Sequence, residues 1–486
     1  MNKKLKILIV SPEISPYAKT GGLGDVANAL PKALAKMEED VSLVMPYYSF
    51  IKKQKLKTKK LAEEEIKIGK SKYPVIFFRT WFQSKCPLYL IYNKEFFERQ
   101  KMYGEKDDNL RFLFFDKAVL KMVKRLNLEL DLIHCHDWQS GLIPNFIKKS
   151  KNKKLSSIAT LYTIHNLPFQ FQQDWWRVSK KNKDHGRGRP KIQDKRKIKY
   201  INFAHRAIKN SDIINTVSQR YAKEILTHKF AQGLDKILKE RKKDIYGIIN
   251  GIDYTVFNPA FDKNINYNYD WNSLDKKKKN KIVLQKEVGL EKKAETPIIG
   301  LVHRLTEQKG FDLILQIIEY LLKLNLQIIV VGSGNKSYIK SFKKLSRKKP
   351  KKIAIYAPFT EKMASRVYAG SDMFLMPSRY EPCGISQLIS MRYGSIPIVH
   401  ETGGLSDTIT NYNPRTAKGN GFKFSRYSKE DLLMAIVRAL ENFKHRKSWE
   451  HLTWQAMRLS FSWELPAKKY LALYRKAVDK HKKIKK

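Results

Sequence analysis

The chain has 486 residues, 42% hydrophobic and 12% aromatic, which excludes a disordered chain and, at roughly 150 residues per domain, predicts two to four domains. Lys and Arg number 96 against 46 Asp and Glu, a formal charge of +50, but no zinc-finger spacing, basic zipper or RNA-binding aromatic signature accompanies the lysine runs, so no specific nucleic-acid partner is expected. Three cysteines without a C-x-x-C pair exclude a disulfide scaffold, and no apolar run approaches the ~18 residues of a membrane span.

The first apolar run, residues 7–10, is stopped at once by Ser11-Pro12-Glu13, too early for a secretory leader, so a cytoplasmic protein is expected. Residues 5–10 read as a buried strand, followed by a glycine-containing loop, a helix over 25–36 and a strand over 41–44. Further buried strands are predicted at 130–134 and 158–164, each ending in polar residues. The pattern restarts at Pro297: strand 298–303, helix 311–324, strand 327–331, strand 373–376, helix 385–393 and strand 396–399. Residues 461–478 place Trp463, Ala467, Tyr470, Leu471 and Tyr474 at helical spacing and read as an amphipathic closing helix. Two Lys-rich, weakly patterned stretches, 177–199 and 264–281, separate the periodic regions. Strand–loop–helix alternation that begins twice predicts an α/β protein of two Rossmann-like, doubly wound parallel-sheet domains. We divide it at 1–255, 256–460 and a closing segment 461–486, with the chemistry at the C-terminal ends of strands facing a shared cleft.

Six segments carry side chains suited to chemistry. Lys19-Thr20-Gly21-Gly22-Leu23-Gly24-Asp25 joins a strand to a helix; glycines admit a ligand close to the backbone, and a helix start favours anions. It matches neither G-x-G-x-x-G nor the P-loop. His134-Cys135-His136-Asp137-Trp138 ends a strand. Strand alternation divides its neighbouring side chains between two faces and no third cluster completes a site, so no metal is expected; a carboxylate and an indole lining a sugar pocket fit better. Thr163-Ile164-His165-Asn166 ends the next strand. Arg304 and Lys309 stand at a strand-to-helix junction, where two cations can clamp a diphosphate and stabilise a departing anion. Ser378-Arg379-Tyr380-Glu381-Pro382-Cys383-Gly384 offers a carboxylate held in a loop. Glu401-Thr402-Gly403-Gly404-Leu405 repeats the glycine-loop logic. Together they suit transfer of a group activated by a diphosphate.

These segments, with Gly247-Ile248-Ile249-Asn250-Gly251-Ile252-Asp253, follow one another as in bacterial glycogen synthases and plant starch synthases, and the resemblance runs from about residue 6 to residue 474. The resemblance implies a retaining GT-B glucosyltransferase that moves glucose from ADP-glucose to the non-reducing 4-OH of an α-1,4-glucan, with no metal or other cofactor. By motif position it implies that Lys19, Gly21 and Gly22 meet the donor diphosphate, and that Arg304 and Lys309 hold the phosphates. It assigns Glu381, His165 and Asp137 to the transferred sugar and its transition state. Trp138, Asn166, Asn250, Cys383, Gly384, Thr402, Gly403 and Gly404 line the pocket. Phe359 stands where the family usually has a tyrosine beside the adenine.

The chain departs from the family after Asn166, where Phe169-Gln170-Phe171 leads to Trp175-Trp176 and a very basic run in a region tied to acceptor binding. The paired tryptophans suit either a sugar platform or a hydrophobic anchor. Ile389 replaces the second glutamate of the wider GT-B group, as the glycogen and starch synthases do. Other readings are a relative using UDP-glucose or another acceptor, and a non-catalytic basic protein that binds glucan or polyanions. No lysine motif for pyridoxal phosphate supports a phosphorylase.

Overall fold

The computed structural model describes residues 3–83, 86–170, 178–190, 192 and 195–485. Two compact units emerge: residues 1–248 with 463–486, and residues 249–462. The first break lies a few residues before the expected boundary at 255, and the closing segment belongs to the first unit.

The first unit is built on a nine-stranded sheet of β1 (Lys6–Val10), β2 (Asp40–Pro46), β3 (Lys59–Ile68), β4 (Ser71–Phe82), β5 (Cys86–Tyr92), β6 (Leu132–His136), β7 (Ala159–Ile164), β8 (Ile213–Thr216) and β9 (Ile245–Gly247). Its order is β3-β4-β5-β2-β1-β6-β7-β8-β9, and β5 through β9 pair in parallel. β1 and β7 are largely apolar runs covered on both faces, as parallel strands require, which is why they were legible; β6 is buried throughout but carries His134 and His136, and it lies two residues beyond the expected 130–134. The antiparallel β3–β4 hairpin, with β4 running on against β5, was not expected. Its burial alternates, with Tyr73, Val75 and Phe77 facing inward, so no continuous apolar run marks it. The outer strand β3 carries Lys59, Lys60, Glu63, Glu64 and Glu65, charges that discourage edge-to-edge pairing.

The second unit holds β10 (Ile298–Val302), β11 (Gln327–Val331), β12 (Ile353–Tyr356), β13 (Met373–Met376), β14 (Ile396–His400) and β15 (Phe422–Phe424) in the order β12-β11-β10-β13-β14-β15, all parallel. This is the 3-2-1-4-5-6 order of the doubly wound nucleotide folds, and the chain reverses direction across the sheet between β10 and β13. The corresponding switch in the first unit lies between β1 and β6.

The basic stretch 264–281 is part of this second unit rather than a separator. It leads into the helix Leu274–Glu287, which buries Lys277 and Lys281. Lys277 donates to the carbonyls of Ala369 (2.9 Å) and Ser371 (2.8 Å), closing the end of the helix Glu361–Gly370. Lys281 pairs with Asp372 at 2.7 Å. The closing helix, Glu464–Lys485, buries Ala467, Tyr470 and Tyr474 against the first sheet.

Candidate active site

In the first unit the site residues stand at the C-terminal ends of β1, β6 and β7, on both sides of the switch point. The loop after β1 is organised by Glu13, a buried residue that the sequence reading passed over. Its carboxylate accepts from the Thr20 backbone N–H (2.7 Å), the Thr20 hydroxyl (2.6 Å), the Gly21 N–H (3.3 Å) and the Tyr103 hydroxyl (3.0 Å). A glutamate beside proline in a loop carries no distinguishing pattern; only its partners reveal it. The helix Gly22–Lys36 then begins, three residues earlier than expected. Lys19 lies at the surface and pairs with Asp25 at 2.7 Å. Gly21 is extended (φ −157°), and a Cβ at Gly21 or Gly22 would meet nothing within 4 Å. Neither glycine is demanded by the fold, so the space beside this backbone is open to a ligand.

Asp137 leaves β6 with φ 54° and ψ −178°, a conformation that is strained for a residue with a side chain. Its carboxylate accepts the backbone N–H of His165 at 2.7 Å and that of Asn166, tying the end of β6 to that of β7. Burial, with a smaller contribution from the Glu13 charge, raises its pKa to about 7. His165 is partly exposed, and burial lowers its pKa to about 3, so the ring is neutral. Its Nε2 meets Nδ1 of His136 at 2.8 Å. Alternation puts His134 and His136 on one face, their ring centroids 3.9 Å apart. Among the described residues no group of His, Cys, Asp or Glu side chains is arranged to hold a metal ion. Trp138 departs from the expectation of a sugar-facing indole: it is 6% exposed and packs edge-on to Phe112 (5.2 Å) and Phe203 (5.9 Å) in the core. Trp175 and Trp176 lie outside the described residues.

In the second unit five strands deliver residues to one edge. After β10, Arg304 is exposed and its guanidinium makes no ion pair among the described residues. Leu305 N–H donates to the Ser333 carbonyl (2.9 Å) and Phe359 N–H to the Ser333 hydroxyl (3.0 Å), so the loops after β10, β11 and β12 are stitched together. Phe359 leaves 46% of its surface exposed at this edge. Lys309 forms an ion pair with Oε2 of Glu381, and the Ser378 hydroxyl donates to the same oxygen at 3.0 Å. Glu381 is only 6% exposed, and its Oε1 receives no hydrogen bond from the described residues. Asn250 lies against the buried Cys383 thiol, whose pKa burial pushes up to about 12.

The glycines of this edge differ from those after β1. A Cβ on Gly403 (φ 45°) would lie 1.9 Å from the Glu381 carbonyl oxygen, and one on Gly404 would lie 2.0 Å from that of Cys383. Gly404 N–H donates to the Glu381 carbonyl at 3.1 Å. The loop Thr402–Gly404 is therefore the bed on which the Glu381 loop rests. Gly384 (φ 68°) turns against Gln387, and Gly310 (φ 77°) against the Pro377 carbonyl, where a Cβ would lie at 2.1 Å. The edge thus gathers two cations, one of them bonded to a carboxylate with a free oxygen, and an exposed ring. Such a group can bind an anionic leaving group and a polyhydroxylated partner.

Comparison with known proteins agrees with this geometry. Residues 6–240 match the family model for the starch synthase catalytic domain, and residues 285–452 that for glycosyl transferases group 1. The chain is 40% identical to a glycogen synthase of Fervidobacterium nodosum, over 98% of this chain and 99% of the relative, and 41% identical to one of Moorella thermoacetica, over 99% of each. The solved catalytic domain of Starch Synthase IV from Arabidopsis thaliana, bound to ADP and acarbose, superposes with a TM-score of 0.87 at 31% identity, covering 98% of this chain and all of that one. With two parallel-sheet units, both family models and full-length relatives in agreement, the chain belongs to the glycogen and starch synthase family of GT-B glycosyltransferases.

Proposed function

We propose that this protein transfers glucose from ADP-glucose to the non-reducing 4-OH of an α-1,4-glucan, with retention at the anomeric carbon, in the cytoplasm. The observation that carries the reading is the Lys309–Glu381 pair with Glu381 Oε1 left open. A carboxylate so placed binds sugar hydroxyls and stabilises positive charge as the C1–O bond to the diphosphate breaks. Arg304 and Lys309 neutralise the departing ADP, and Lys19 with the open backbone at Gly21 and Gly22 meets the diphosphate. Phe359 offers its exposed ring to the adenine, and Asn250, Cys383, Gly384 and Thr402 through Gly404 shape the wall around Glu381. His165, Asp137 and Asn166 hold the glucose. Support for this donor and acceptor comes from the ADP and acarbose carried by the similar starch synthase domain and from the relatives' name. The three cations provide the charge that a metal supplies in other transferases, so activity is expected to survive a chelator.

The test is ADP release from ADP-glucose on adding glycogen, with UDP-glucose as the competing donor. Glu381→Gln is expected to lower kcat by about 10²–10³-fold with donor KM changed only a few-fold, because it removes charge where charge develops. Unchanged turnover would refute the assignment of Glu381.

A further inference from the structure

The imidazole of His136 is fully buried, bonds His165 through Nδ1, and has no partner for Nε2 among the described residues. It is clamped from the other side by His134, whose Nδ1 meets the Tyr474 hydroxyl at 2.8 Å and whose Nε2 meets the Thr163 hydroxyl at 2.7 Å. Burial lowers the pKa of both His136 and His165, so each ring carries a single proton. In the 2.8 Å contact one nitrogen must donate and the other accept. If His165 were the donor, the His136 proton would sit on Nε2, a buried N–H without an acceptor. If His136 donates from Nδ1, the atom left without a partner is only a lone pair, the less costly of the two.

We infer that His136 is a positioning residue that holds His165 in the Nδ1–H form, so that His165 meets its substrate as a hydrogen-bond donor and not as a base. The inference rests on the proposed role of His165 in holding the sugar and specifies what that role is. The oxygen facing Nδ1 must offer a lone pair, as a sugar hydroxyl or ring oxygen does. His165 cannot take the acceptor's proton there, because that nitrogen already bears one.

The experiment is a long-range ¹H–¹⁵N correlation spectrum of the full chain labelled with [¹⁵N]histidine, assigned with His165→Ala, alongside kinetics of two variants. The wild-type spectrum should show His165 protonated at Nδ1; protonation at Nε2 overturns the inference. His136→Asn keeps an N–H near the Nδ1 position and should preserve both the tautomer and, within about threefold, kcat. His136→Leu removes the donor: the His165 signals should lose the single-tautomer pattern, and kcat should fall about tenfold with donor KM changed less than about threefold. Full turnover in His136→Leu also overturns it. Should that variant fail to fold, the wild-type spectrum and His136→Asn still decide. A wild-type chain that transfers no glucose while His165 keeps the Nδ1–H form would overturn the functional reading and leave the tautomer assignment standing.

Discussion

Asp137 combines a positive φ with a carboxyl group whose pKa burial raises to about 7. That pair of angles is strained for any residue with a side chain, and the two N–H groups that the carboxylate accepts from the loop carrying His165 hold Asp137 in it. The folded state holds the proton more tightly than an ordinary carboxyl group, so between the unfolded value of 3.8 and about 7 it binds the extra proton. Asp137's contribution to stability therefore declines as pH rises through that window. Activity should run the other way. Ionised Asp137 is the better acceptor for the His165 and Asn166 N–H groups, so kcat/KM for the donor, which reports ionisations of the free enzyme, should rise between about pH 6 and 8, with a midpoint near the value of about 7. Asp137→Asn should keep part of the turnover and lose this limb of the profile. A wild-type kcat/KM that is flat across that range would show that the charge on Asp137 is not used.

Among the connecting loops, two pairs of glycines with similar sequences have opposite reasons for being glycine. Gly21 and Gly22 face open space with nothing for a Cβ to strike, whereas Gly403 and Gly404 lie against the Glu381 and Cys383 carbonyls. Gly21→Ala should leave the urea unfolding midpoint unchanged and weaken ADP binding, by about tenfold if the new methyl displaces one good contact. Gly403→Ala should do the reverse in the unfolding experiment. Its clash and positive φ should remove about 2–4 kcal/mol of stability in the second unit. Equal unfolding midpoints for the two variants would overturn this distinction. The sequence reading treated both pairs as ligand cradles because a Gly-Gly pair between a strand and a helix looks the same in either role. The packing partner of Gly403 lies more than twenty positions upstream, where local pattern cannot reach it.

On the scale of the whole molecule, the formal charge of +50 has a kinetic consequence. A diphosphate-linked donor is an anion and is drawn toward a strongly basic protein, while a glucan is neutral. Raising ionic strength from about 0.02 to 0.3 M shortens the screening length from tens of ångströms to a few, so donor KM should rise several-fold while glucan KM stays level. A donor KM indifferent to salt would show that the charge is spread too evenly to steer. Some of the basic residues are not surface charge at all. Lys277 is buried as a donor to two helix-end carbonyls, its pKa lowered by burial to about 7. Among the described residues, no helix is long and apolar enough to cross a membrane.

The sequence alone determined the two parallel-sheet units, the strands that lead into the site except β12, and the loops that hold Lys19, Asp137, His165, Arg304, Lys309 and Glu381. It could do so because a parallel strand buried on both faces is a continuous apolar run, and because reactive loops in such folds begin where that run stops. Only the tertiary structure decided the rest: Glu13 as organiser of the glycine loop, Trp138 as a core residue, the β3–β4 hairpin, the buried lysines, and the His136–His165 contact. Each of these depends on a partner remote in the chain, such as Tyr103 for Glu13 or Phe203 for Trp138, and a side chain's role there is set by what folding brings against it. Hydrophobic periodicity records which way a residue faces, not what it meets.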